Sequence, residues 1–333
     1  MIDAARPPFG LASPRRAMSC VAGQGSRRGR VMGMKWLKST DCVAFDVRDN
    51  VARITLNRPD KRNALSARTI QELNQALLEA DDRRDVNAIL LSGAGRDFCA
   101  GYDLTDSYGG AADLSSDYDA DRYRTRAGTL DDDIWNLERQ QELTLIMLDL
   151  HKPIVAKIQG NCLAGGTDLA FSCDIVLAAD DARIGFPAAR ANGTPPTNLW
   201  FYHCGPQWAK RMLFTGDTIS GIDAARIGLV LEAYPADAID AEADEMVRRI
   251  ACVDAEILAT HKRVMNMQME LAGARLSQRY AAELDARAHL SQGPRRSQFR
   301  KDMAEKGLKE ALTNRDAPFG NSRVALRARK PSA

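Results

Sequence analysis

Two stretches decide how this chain is read: Phe98-Cys99-Ala100-Gly101-Tyr102-Asp103, and Gly160-Asn161-Cys162-Leu163-Ala164-Gly165-Gly166-Thr167-Asp168-Leu169. The first follows the apolar run Ala88-Ile89-Leu90-Leu91, the second Ile154-Val155-Ala156-Lys157-Ile158. Each reads as a strand running into a turn of small residues that opens a helix. Glycine and alanine let a ligand approach the main chain, because little side chain stands in the way. A helix start leaves N–H groups unpaired and carries a partial positive charge. Two such turns facing one another would supply a pair of backbone donors, the means of stabilising an oxyanion in acyl chemistry.

Working outward, Cys42 to Val47 and Val51 to Leu56 flank Asp49-Asn50 and read as a β-hairpin. Ser66 reads as the N-cap of a helix with Ile70, Leu73, Leu77 and Ala80 on one face. Ile134 to Leu150 reads as a helix with Ile134, Leu137, Leu145 and Leu148 in phase, and Asp174–Ala179 and Ala182–Phe186 as strands. From Thr197 the pattern is helical, with candidates near 206–214, 237–252, 254–271, 277–290 and 297–312. Between Thr105 and Asp133 the pattern is irregular and acidic (Asp113, Asp117, Asp119, Asp121 and Asp131 to Asp133), which reads as a solvated surface. No sequence repeat at a solenoid period is visible.

The 333 residues are 45% hydrophobic and 27% charged, the balance of a globular protein with a sizeable core. A net charge of +2 leaves no nucleic-acid footprint. No apolar run approaches the roughly 20 residues of a membrane span. The seven cysteines are odd in number and lack CxxC spacing, which favours reduced, buried thiols in a cytoplasmic protein over disulfides or a zinc site. Cys99 and Cys162 read as small packing residues. Residues 1–33 hold Arg6, Arg15, Arg16, Arg27, Arg28 and Arg30 against one acid, Asp3. They read as a disordered lead, either an organellar transit peptide or an over-extended start preceding Met32 or Met34. The division expected is a basic extension over 1–33, a core over 34–235, a helical region over 236–320 and a solvated basic tail over 321–333, with Arg323 to Ala333 in the tail.

The two opening stretches resemble the signature regions of the crotonase superfamily, the enoyl-CoA hydratase/isomerase family. So do Asn57-Arg58-Pro59-Asp60-Lys61-Arg62-Asn63-Ala64-Leu65, Cys173 to Ala178, Phe214 to Asp217 and Ala224 to Val230, in one colinear order over roughly residues 42 to 320. The resemblance implies an α/β fold: a crotonase-like spiral of ββα units with a helical C-terminal trimerisation region. It further implies a homotrimer or hexamer with a coenzyme A thioester as substrate, and no tightly bound cofactor, metal, nucleic-acid partner or membrane partner. Carried over by position, the oxyanion donors are the N–H groups of Tyr102 and Gly165, and Asp168 takes the place of the first catalytic glutamate. Arg62, Ala64 and Ala100, with Tyr102 and Gly165, are the positions expected to hold coenzyme A.

The resemblance also exposes departures. Hydratases of the family carry a second glutamate after the proline of Gly185-Phe186-Pro187; here that position is Ala188, and Ala189-Arg190-Ala191-Asn192-Gly193 supplies no carboxylate. Hydration needs a group to activate water and a group to deliver the α-proton, or one group doing both in turn. Asp168 would therefore act alone, or with an acid, Tyr118 or Tyr123 from 105–133, or else serve only to stabilise its helix start. A phenylalanine common in the family's last helix is Ala311. Arg190 reads as a surface charge, the alternative being a ligand for a polar acyl tail, and His203 reads as packing near Trp200. The reaction expected is enoyl-CoA hydration or isomerisation. The alternatives are another reaction of the superfamily (double-bond isomerisation, thioester hydrolysis or decarboxylation) or acyl-CoA binding without catalysis.

Overall fold

The structure is a computed structural model, and it describes residues 40–104, 122, 124 and 128–327. The basic lead of residues 1–33, the end of the tail, Tyr118, Tyr123 and Asp113 to Asp121 lie outside the described residues.

The chain opens with strands β1 (Val43–Arg48) and β2 (Val51–Leu56), paired antiparallel. Asp49 and Asn50 both have left-handed φ, 54° and 59°, which suits a tight hairpin turn to the twist of its strands. Helix α1 (Ala67–Asp82) starts at Ser66, whose side chain accepts the Thr69 N–H. Its buried face includes Ile70, Leu73, Leu77 and Ala80. Next come β3 (Ala88–Gly93), α2 (Leu130–Asp149), β4 (Ile154–Ile158), β5 (Asn161–Leu163) and α3 (Gly165–Phe171). Strands β6 (Ile175–Ala179) and β7 (Arg183–Gly185) lead to α4 (Trp200–Thr215), β8 (Thr218–Ser220), α5 (Gly221–Arg226) and β9 (Glu232–Tyr234). Helices α6 (Ile239–Ala251), α7 (Ala255–Leu271), α8 (Ala274–His289), α9 (Pro294–Lys306) and α10 (Leu308–Asp316) follow, and β10 (Arg323–Val324) closes the order.

Two sheets result, ordered β1-β2-β3-β4-β6-β9 and β10-β8-β7-β5. Beyond the hairpin the first sheet is parallel. Ile89 and Leu91 of β3, Ile154 and Ala156 of β4, and Leu177 and Ala178 of β6 are fully buried. Near-continuous apolar runs are what a parallel strand covered on both faces requires. Each large aliphatic side chain so buried stabilises the fold by about 1.5–3 kcal/mol. Among the described residues no helix is long and apolar enough to cross a membrane.

Several expectations change. Helix α2 begins at Leu130, ahead of Ile134, because Thr129 and Asp132 form a reciprocal capping box. Asp131, Asp132 and Asp133 are thus its first turn rather than merely a solvated run. Its buried stripe is Leu137, Gln141, Thr144 and Met147; of the residues expected in phase, Leu137 belongs to it, while Ile134, Leu145 and Leu148 are only partly buried. Gln141 and Thr144 both find partners for their polar groups: Gln141 Nε2 donates to the carbonyls of Pro196 and Gln278, remote in sequence, and Thr144 Oγ1 to that of Gln141, one turn back. The stretch 297–312 is two helices, parted at Gly307, whose φ of 80° no right-handed helix accommodates. Arg323–Val324 pairs with β8 and Val324 is buried, so this part of the basic tail is a strand, not solvated chain.

Candidate active site

The two small-residue turns meet. Cys99 and Cys162 form a parallel bridge, with the Cys99 N–H donating to Asn161 O at 2.9 Å and the Leu163 N–H to Cys99 O at 2.9 Å. Gly101 has φ 106°, and a Cβ there would stand 2.9 Å from Ala164 Cβ, 2.9 Å from Leu163 O and 3.3 Å from Gly165 N. Smallness at Gly101 therefore serves the approach of one turn to the other. Cys99 and Cys162 are fully buried and all described cysteines are free, as packing residues require; burial pushes the Cys99 thiol up to about 12.

The backbone donors follow from this pairing. Leu65 bridges Tyr102 in parallel: the Leu65 N–H donates to Gly101 O at 2.8 Å and the Asp103 N–H to Leu65 O at 3.0 Å. In a parallel bridge the bracketed residue's own N–H points the other way. The Gly165 N–H is the first of α3 and precedes the intrahelical ladder. Neither the Tyr102 nor the Gly165 N–H meets an acceptor among the described residues. Ala164, just before, has φ 48° and ψ −120°, a conformation costly for a residue with a Cβ. It is held by its N–H to Gly185 O at 2.9 Å and by its carbonyl, which accepts the Thr167 N–H at 2.8 Å and Thr167 Oγ1 at 2.7 Å.

Asp168 sits one turn into α3 and is 2% exposed. Its Oδ1 accepts from Thr197 Oγ1, and its Oδ2 from Tyr102 Oη at 3.3 Å. Burial pushes its carboxyl up to about 7; the two hydroxyl bonds pull against this, and the charge of Asp285 adds to it. Burial, then the charges of Asp168 and Asp285, push the Tyr102 phenol well above its usual value. The Tyr102 ring lies across the start of α3, its Cε2 2.8 Å from where a Gly165 Cβ would be. A carboxyl with proton affinity near neutrality, beside two free N–H groups, is able to take and return a proton while a carbonyl oxygen gains charge.

The structure also brings in residues the sequence did not single out. The Tyr102 phenol, Thr197 and Asp285 have no motif to mark them, and Asp285 comes from α8. Its Oδ1 accepts the Thr194 N–H at 2.8 Å, and its Oδ2 lies 3.7 Å from His289 Nε2. The His289 Nδ1 is 2.8 Å from Asp133 Oδ2. Burial pushes Asp285 up to about 6 despite His289. Ala188, where the resemblance implies a glutamate in hydratases, starts the loop that carries Thr194 and Thr197; its carbonyl accepts the Ala191, Asn192 and Gly193 N–H groups.

At the other end of the first turn, Arg62 is exposed with φ 51°, and its carbonyl accepts the Ala100 N–H at 2.9 Å. The Ala64 N–H donates to Lys61 O at 3.1 Å and its carbonyl accepts Arg58 Nη1 at 2.7 Å, so both groups are engaged inside the loop. The Ala100 carbonyl accepts no donor among the described residues. Arg190 is not a surface charge. Its side chain is 1% exposed, bonded to Thr215 O at 2.9 Å, Asp217 at 3.1 Å and Asp316 at 3.0 Å, and stacked 4.0 Å from the Phe319 ring centre. It pins α10 to the turn after β7, since two acids and an aromatic face repay its desolvation. His203 packs 4.9 Å from the Phe171 ring, which itself meets Trp200 edge-on at 5.0 Å. Ala311 is fully buried. Among the described residues no group of His, Cys, Asp or Glu is placed to hold a metal ion. One concavity of about 370 Å³ lies between α2 and α8 at Leu145 and Gln278, and another at Tyr234 and Met246; Asp168 lines neither of these two.

Known proteins align with this chain. The family model described as enoyl-CoA hydratase/isomerase matches residues 46–321. A probable enoyl-CoA hydratase of Mycobacterium bovis is 30% identical over 225 residues, 66% of this chain and 79% of that protein. A probable mitochondrial enoyl-CoA hydratase of Dictyostelium discoideum is 30% identical over 224 residues, 66% of this chain and 74% of that protein. Among solved structures, an enoyl-CoA hydratase from Mycobacterium smegmatis superposes with a TM-score of 0.76 at 37% identity, covering 85% of this chain and 96% of that one. An enoyl-CoA hydratase/isomerase from Xanthobacter autotrophicus Py2 gives 0.76 at 29% identity, covering 85% and 99%.

Proposed function

The chain belongs to the enoyl-CoA hydratase/isomerase family and has its fold, and on that premise we propose that it processes an acyl-CoA thioester through its enolate, with hydration of a 2-enoyl-CoA as the leading reaction. The observation that carries this reading is the pair of unaccepted N–H groups, Tyr102 and Gly165, beside the buried Asp168 carboxyl. The thioester oxygen sits between the two N–H groups and receives charge as the enolate forms; two aimed donors at such a position contribute a few kcal/mol to the transition state. Asp168 takes a proton from water as its oxygen bonds the β-carbon and the electron pair moves to the thioester oxygen. It then returns that proton to the α-carbon. A carboxyl titrating near 7 serves both steps at neutral pH.

Arg62, Ala64 and Ala100 lie on the side where the coenzyme A portion is held, Arg62 offering charge to phosphate and Ala100 its free carbonyl. A second reading is favoured by Ala188. With no glutamate there, double-bond isomerisation needs only one group to lift a proton from one carbon and return it to another, which Asp168 is able to do alone. The same family reading carries a homotrimer or hexamer. The exposed side chains Met265, Met267, Leu271, Leu276 and Tyr280 of α7 and α8 are those a second copy would cover.

The test is turnover of short and long trans-2-enoyl-CoA, read as loss of the conjugated absorbance, with coenzyme A binding measured on the same sample. Hydration supports the leading reading. Conversion between 2- and 3-enoyl isomers alone supports the second. Binding with neither leaves an acyl-CoA binder and overturns both.

A further inference from the structure

The loop after Ala188 carries no carboxylate, yet helices remote in sequence grip it. Arg296 of α9 donates from Nη1 to Ala191 O at 2.9 Å and to Asn192 O at 2.5 Å. Gln141 of α2 donates to the Pro196 carbonyl. Asp285 of α8 accepts the Thr194 N–H at 2.8 Å. The fit is close at this last point: a Cβ on Gly193 would fall 2.1 Å from Asp285 Oδ1. Three residues past Thr194 stands Thr197, whose hydroxyl donates to Asp168. Asp285 is 4% exposed and has the His289 Nε2 at 3.7 Å, an ion-pair distance, while Asp133 of α2 bonds the other ring nitrogen of His289 at 2.8 Å.

We propose that Asp285, paired with His289 across 3.7 Å, is a positioning residue of the site: it holds the loop from Gly193 so that Thr197 presents its hydroxyl to Asp168. This rests on the reading of Asp168 as the acid–base group. Asp285 also acts through space. Its negative charge opposes ionisation of Asp168 and of the Tyr102 phenol. The charged groups facing it are His289 on its own helix, Asp133 from α2 and Arg296 from α9. His289 loses proton affinity to burial but regains more from its bond to Asp133 and the charge of Asp285. An acid–imidazole–acid chain thus reaches Asp168 by two separable routes: a backbone anchor and a charge.

Three variants separate the routes. Asp285→Asn keeps an oxygen for the Thr194 N–H and removes the charge; Asp285→Ala removes both; Thr197→Val removes the hydroxyl at Asp168. The readouts are kcat and KM against pH, and titration of the Asp168 carboxyl by 13C NMR in aspartate-labelled protein, assigned with Asp168→Asn. Asp285→Ala is expected to lower kcat about tenfold or more with KM within about twofold. Asp285→Asn is expected to recover at least about threefold of that loss and to move the Asp168 midpoint, with the acid limb of kcat, down by about one pH unit. Thr197→Val moves the midpoint up, because a bond to the ionised form is gone. An unshifted Asp168 midpoint in Asp285→Asn, or a kcat in that variant as low as in Asp285→Ala, overturns the proposal. The titration reads without turnover: shifted midpoints in a protein that converts no enoyl-CoA would sink the functional reading while keeping the coupling of Asp285 to Asp168. If Asp285→Ala fails to fold, Asp285→Asn and Thr197→Val still decide on the midpoint.

Discussion

The backbone half and the side-chain half of the site are built in opposite ways. The Tyr102 and Gly165 donors come from two turns that bridge each other at Cys99 and Cys162, and what places them is main-chain bonding and the absence of side chains at Gly101 and Gly166. Asp168, a few residues on, owes its state to groups gathered from far away: Thr197 from a loop, Tyr102 from the other turn, and Asp285 from α8. The first half tolerates almost no change of shape but carries no titratable group. The second is tunable, because each neighbour of Asp168 is a side chain replaceable on its own.

The sharpest way to break this contrast is Asp168→Asn. Turnover is expected to fall about 10²- to 10⁴-fold, with coenzyme A affinity within about twofold, since only the proton-transfer group is lost. Equal loss of binding, seen by calorimetry, would mean that the two halves are not separable. Gly101→Ala strikes the other half. The new Cβ meets Ala164 and Leu163 at a positive φ, so a destabilisation of about 2–3 kcal/mol is expected in urea unfolding, together with loss of turnover. A fully stable, active variant would show that the turns have slack.

A pH experiment sharpens the side-chain half. The folded pKa of Asp168, about 7, lies above the ordinary carboxylate value. Its contribution to stability is therefore fully present below about pH 4 and is lost as pH rises through 7. Asp168→Asn escapes that loss, so its stability relative to the parent is expected to grow between pH 5 and pH 8 by about 2–4 kcal/mol. Urea midpoints at both pH values check this, and a constant difference would mean that Asp168 is not held against its ionisation. The smallest effect concerns Ala164. Ala164→Gly relieves its φ of 48°, so the variant is expected to be within about 1 kcal/mol of the parent or more stable, against the usual cost of a glycine.

Local pattern made much of this legible. The Asp49-Asn50 turn, the Ser66 cap and the apolar strands at 88, 154 and 175 are short-range signals, and each stands where the sequence places it. The misreadings share a cause. In α2 the polar residues Gln141 and Thr144 occupy buried positions because partners remote in sequence, or a carbonyl one turn back, satisfy them. Arg190 is buried because Asp217 and Asp316 converge on it. No periodicity reports such partners, since a hydrogen-bonding residue looks the same in sequence whether it faces water or a distant carbonyl.

The two glycine turns, the carboxylate at 168 and the alanine at 188 are legible from the residues alone, because covalent identity and main-chain preference are local properties. How strongly Asp168 holds its proton emerges from the packed fold. That depends on burial by the whole core and on Thr197, Tyr102 and Asp285, which lie close only once α8 and the loop after Ala188 are packed against the second turn. Proton affinity is set by the sum of fields and solvation at one point in space, and distance along the chain carries almost none of that information.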